Sequence, residues 1–269
     1  MNAPSDLPPL RESTDLPAEV LPSPFKPFPV WSGLDVMFLI FFTCFSAIVL
    51  VTLGRSISHF LQIKFSWARV LLHSDNEGMY LILHQAILDG VILLFIYFTI
   101  TLKYNAPFLA SIKWKPRQPL PIGIYFPFGI GLALAVMGLS MLFPPPQDLP
   151  IEKLLKQPYA AVLFASLGMV VAPFVEEVVF RGFIFPVVEG WFGSLGAVLA
   201  TAVLFAGVHV TQLWGSWPAI ALILLVGLTL SAVRARTDSL LPSFVIHFSY
   251  NTTICLLYLI GVVVGGYPA

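Results

Sequence analysis

The stretch Val171–Phe185 reads VAPFVEEVVFRGFIF, and it sets two adjacent glutamates, Glu176 and Glu177, and one arginine, Arg181, inside an apolar run. An ionisable side chain at the centre of a bilayer costs at least ~2.5–3.5 kcal/mol on insertion scales. What these three charges do therefore depends on whether their neighbours lie in lipid, and the rest of the chain says that they do.

The chain has 269 residues, of which 58% are hydrophobic and 10% charged, with a mean hydropathy of +0.89. Soluble domains carry about 25% charged residues. The contrast points to an integral membrane protein with the lipid bilayer as its solvent. The formal net charge of +0 gives no basic surface for nucleic acid. Cys44 and Cys255 both sit in apolar runs and read as small buried hydrophobes. Residues 1–30 hold eight prolines and six charges. They lack the basic start and apolar core of a cleavable signal peptide and read as extended, disordered chain.

A helix needs roughly 20 apolar residues to cross the hydrocarbon core. Runs of that kind occur at 33–53, 79–102, 121–143, 159–188, 193–213, 218–233 and 240–264. The fold class expected is all-α: a polytopic bundle of seven to eight transmembrane helices around a polar intramembrane cavity. Its parts are the leader 1–30, N-terminal helices over 31–154 and a core over 155–265. The fourth run is too long for one straight crossing, and Pro173 removes a backbone donor inside it, so a break is expected there, making an eighth piece. With seven spans, Lys and Arg divide eight to five between the two sides, which puts the N-terminus in the cytoplasm.

The later runs hold an unusual polar set: Glu176, Glu177, Arg181, His209, His247 and Asn251. Residues four apart share a helix face. Glu177 can thus pair with Arg181, as a structural salt bridge, and His247 and Asn251 can point at one place. Glu176 is turned about 100° from Glu177 and is free for another partner. Singly, each group has a packing role to play. Together, on three separate spans, they suit an intramembrane site with general-base and oxyanion chemistry. In the earlier runs Asp35 reads as an interface residue, and His84 and Asp89 as locally hydrogen-bonded.

Three motifs carry a resemblance. EEVVFRG (Glu176–Gly182), FAGVH (Phe205–His209) and HFSYN (His247–Asn251) resemble those of the CAAX prenyl endopeptidase and bacteriocin-processing family, known as CPBP or Abi. The likeness covers about residues 155–260. It implies an intramembrane protease, metalloendopeptidase-like, acting on a membrane-associated protein or peptide; in eukaryotic members the last three residues of prenylated proteins are removed. It further implies Glu176 as general base, His209 as a partner of water or metal, His247 and Asn251 as oxyanion donors, and Glu177 with Arg181 fixing the motif helix. Zinc held by Glu176, His209 and His247 is one version of the chemistry; a metal-free version uses the same residues, and the zinc signature HExxH is missing. The short loops and proline-rich leader suit a prokaryotic inner or plasma membrane. A non-catalytic immunity or scaffold protein on the same fold, or a transporter, would use the same polar set otherwise.

Overall fold

The computed structural model describes residues 28–64, 77–116, 119–143 and 158–265. All but the end of the expected disordered leader lies outside them, as do the connections 65–76 and 144–157. Among the described residues there is no strand. Helix α1 (Gly33–Lys64) is followed by α2 (Glu77–Phe98), which continues through a π-helical turn, Thr99–Lys103. A single turn, α3 (Phe108–Ser111), precedes α4 (Tyr125–Ser140). Then come α5 (Pro158–Glu176), a π-helical segment (Glu177–Ile184), α6 (Phe185–Val208), α7 (Trp217–Thr237) and α8 (Leu240–Gly265).

Among the described residues, six helical stretches are long and apolar enough to cross a membrane. The longest, Ala160–Val208, runs for 49 residues, about 74 Å if straight, well over twice the hydrocarbon thickness. It is two crossings. Gly193 breaks it, with φ 70° and ψ 176°, a backbone that glycine reaches without the Cβ penalty of other residues. The chain folds back there: the rings of Phe180 and Phe205 lie 5.5 Å apart, although 25 residues separate them in sequence. The count of seven crossings agrees with the seven apolar runs.

Pro173 does not break the chain. Helix α5 passes through it to Glu176, and the change of helical register begins at Glu177. Proline costs α5 one hydrogen bond, from position 173 to the carbonyl of Met169, and in a membrane helix neighbouring polar groups absorb such a loss. The expected break is instead a π segment and, further on, the Gly193 reversal.

Large apolar side chains face outward along the helices. Phe41, Leu102, Leu195 and Phe192 are 70% exposed or more, which is the surface lipid solvates. Between helices the contacts rely on small residues, which let backbones approach. A Cβ on Gly129 of α4 would lie 2.4 Å from Ile246 O of α8, and one on Gly227 of α7 3.2 Å from Ala202 Cα of α6. The α6–α7, α4–α8 and α5–α8 pairs pack most extensively, and the polar residues lie where α5 to α8 meet.

Candidate active site

The π segment is the frame of the site. Glu177 and Arg181 are both fully buried, and Arg181 Nη1 lies 3.1 Å from Glu177 Oε1. Helix α7 holds the rest of the guanidinium: Nη2 donates to Gly227 O at 3.0 Å and Nε to Ser231 Oγ at 3.2 Å. Ser231 in turn shares a hydrogen bond of 3.0 Å with Thr201 of α6, and the Phe205 ring covers the guanidinium at 4.6 Å. A buried charge without partners would be prohibitive; here each of the three guanidinium nitrogens of Arg181 donates a hydrogen bond.

His247 comes from α8 and stands between both glutamates. Its Nδ1 is 3.1 Å from Glu177 Oε1 and its Nε2 3.5 Å from Glu176 Oε2. Each ring nitrogen therefore faces a carboxylate. The two carboxylates differ in access: the Glu177 side chain is 0% exposed, that of Glu176 24%. Glu177 Oε2 is buried without a hydrogen-bond partner, the Ser243 hydroxyl beside it being turned to Leu240 O at 3.0 Å.

His209 closes α6. Its Nδ1 lies 2.8 Å from Phe205 O. A carbonyl oxygen only accepts, so Nδ1 carries the proton and Nε2 is left with its lone pair. Phe180 and Phe205 touch across the reversal, and Glu176 and His209 each stand four residues further along their arm. The Phe205 ring lies between the two imidazoles, with centroids 4.9 Å from His209 and 5.6 Å from His247.

Asn251 faces elsewhere. Its Nδ2 donates to Gly168 O at 2.9 Å, tying α8 to α5. The structure thus brings Glu176, Glu177, Arg181 and His247 into one contact set, sets His209 across a phenyl ring from it, and puts the Asn251 amide on a helix backbone. Among the described residues no three of His, Cys, Asp and Glu stand close enough to hold one ion. Glu176, His209 and His247 do not fit a three-ligand metal set as they are arranged.

Several participants escaped the sequence reading. Gly227, Ser231 and Arg234 lie at successive turns of one α7 face, a spacing of four then three that would have marked them. Asp89 of α2, read as locally bonded, does accept from Gln85 Nε2 at 2.8 Å.

Residues 158–253 match the family model described as Rce1-like, type II CAAX prenyl endopeptidase Rce1-like. The matched segment contains all three motifs and all the residues of this site, so the resemblance and the geometry fall on the same part of the chain. No curated protein and no solved structure matches.

Proposed function

We propose that this integral membrane protein is a CAAX-type intramembrane endopeptidase, which hydrolyses a peptide bond in a membrane-associated protein or peptide. The observation that carries the reading is His247 set between a buried carboxylate and an accessible one, each within 3.5 Å of one of its ring nitrogens.

In this reading a water is held by Glu176 and by His209 Nε2. Its oxygen attacks the scissile carbonyl carbon while Glu176 takes its proton. That proton goes to the leaving nitrogen as the C–N bond breaks, giving a carboxylic acid and an amine. His247, with Nδ1 tied to Glu177, presents Nε2 beside Glu176, so the proton has a second seat within reach. The protonated ring then donates to the oxyanion, with the Glu177 charge behind it, the role an orienting carboxylate plays for a catalytic histidine. Asn251 shares the oxyanion only by releasing Gly168 O. Arg181 holds Glu177 in place.

The test is cleavage of a quenched-fluorescent S-farnesylated CAAX-type peptide by the purified protein in liposomes, with metal analysis of the same preparation. Loss of a general base lowers the rate by about 10²–10⁴-fold, expected here for Glu176→Gln. Full activity in both Glu176→Gln and His209→Ala would exclude this site from the reaction.

A further inference from the structure

The π segment leaves one carbonyl without a backbone partner, and a single side chain takes it. In π-helical register the N–H of a residue pairs with the carbonyl five positions earlier, as Phe185 N does with Phe180 O. The next such pair would join residue 186 to Arg181 O. Residue 186 is proline and has no N–H. Arg234 Nε fills the gap, donating to Arg181 O at 3.2 Å. Arg181 is therefore gripped at both ends by α7: the side chain by Gly227 and Ser231, the peptide group by Arg234.

Arg234 is itself held. It is 1% exposed, and its Nη1 donates to Asp238 Oδ1 at 3.2 Å, while Nη2 is buried with no acceptor. Leaving a guanidinium N–H unmatched is a cost that a merely space-filling side chain would avoid. Asp238 closes α7 in the left-handed region, φ 48°, and also receives Lys113 Nζ from the loop after α3. The same loop caps α8, with Lys113 O accepting from Leu240 N at 2.8 Å and Trp114 O from Leu241 N at 3.2 Å. His247 follows two turns later on α8.

We propose that Arg234 is a positioning residue of the active site, and that Lys113, Asp238 and Arg234 form a clasp fixing the peptide carbonyl of Arg181, and through it Glu177, against His247. The proposal rests on the hydrolytic reading above. The clasp touches neither substrate nor water. Its action is to hold the π register, in which Glu177 meets both Arg181 and His247. Misplacement of a reacting group by about 1 Å costs up to ~100-fold in rate.

The experiment compares parent, Asp238→Asn, Arg234→Lys and Glu176→Gln on the same farnesylated peptide in liposomes, with the thermal midpoint and hydrogen–deuterium exchange of each. Asparagine tolerates the left-handed conformation, so Asp238→Asn removes charge without backbone strain; it decides alone if Arg234→Lys fails to fold. Expected are a kcat lowered about tenfold or more at unchanged KM, and faster exchange confined to residues 177–184, with the midpoint near that of the parent. A kcat within twofold of the parent, a loss that merely follows a lower midpoint, or unchanged exchange over 177–184 overturns the clasp. If Glu176→Gln still cleaves, the failure belongs to the hydrolytic reading. Should the parent not cleave this peptide, the exchange result settles the clasp by itself.

Discussion

His247 Nδ1 lies 3.1 Å from Glu177 Oε1, a carboxylate oxygen that also receives Arg181 Nη1 at 3.1 Å. One buried oxygen thus serves two helices, and removing either donor has separable effects. Arg181→Met leaves Glu177 buried without its cation, and breaking such a pair costs about 3–5 kcal/mol. The double variant Glu177→Leu/Arg181→Met removes both charges and is expected to recover most of that loss without recovering hydrolysis. Denaturation in detergent and the cleavage assay, run side by side, check both halves.

Close approach between α4 and α8 depends on Gly129. A Cβ there would come within 1.9 Å of Ser249 Oγ and 2.4 Å of Ile246 O, and backbone cannot give way as a flexible side chain does. Gly129→Ala is expected to destabilise by about 1–3 kcal/mol, the usual cost of overpacking. Gly131→Ala, with nothing within 4 Å of the new carbon, is the control and should leave the thermal midpoint unchanged or slightly raised.

Asn251→Ala removes the hydrogen bond to Gly168 O. Interhelical hydrogen bonds in membranes are worth about 0.6 kcal/mol on average, so stability should change little. A larger fall in kcat than this implies would mean that the amide leaves Gly168 during turnover to meet the oxyanion. Equal rates in parent and variant would confine Asn251 to joining α5 and α8.

Asp238 gives the acid limb of stability a defined contributor. Burial pushes its carboxyl up, but Lys113 and Arg234 together outweigh burial and hold it below the ordinary 3.8. A depressed folded-state value stabilises the protein above the unfolded value, and the contribution is lost as pH falls through the folded one. The difference in thermal midpoint between parent and Asp238→Asn, small enough at neutral pH to leave the two midpoints close, should be constant above about pH 4 and vanish below it. A difference that persists unchanged into stronger acid would show that the charge of Asp238 is not what matters.

How far the sequence reveals this arrangement differs from residue to residue. Spacing on one helix is readable, so the Glu177–Arg181 pair followed from four residues of separation, and the seven crossings from apolar length. Partners across helices are not readable from spacing. The Gly168 carbonyl that receives Asn251, and the Gly227 carbonyl and Ser231 hydroxyl of α7 that hold Arg181, depend on which faces pack together. Pro173 drew the expected break to itself because a lost donor is visible in sequence, whereas a π register is set by packing and betrays itself only through Pro186.

The arm of α6 that follows Gly193 reaches only Val208. It rises roughly 22 Å, against a hydrocarbon layer of about 30 Å. The arm alone is therefore shorter than that layer, and His209 stands at its end, where the turn 209–216 begins. A bilayer with a thinner hydrocarbon core is expected to suit so short an arm better, and cleavage rates in liposomes of different acyl-chain length would check it.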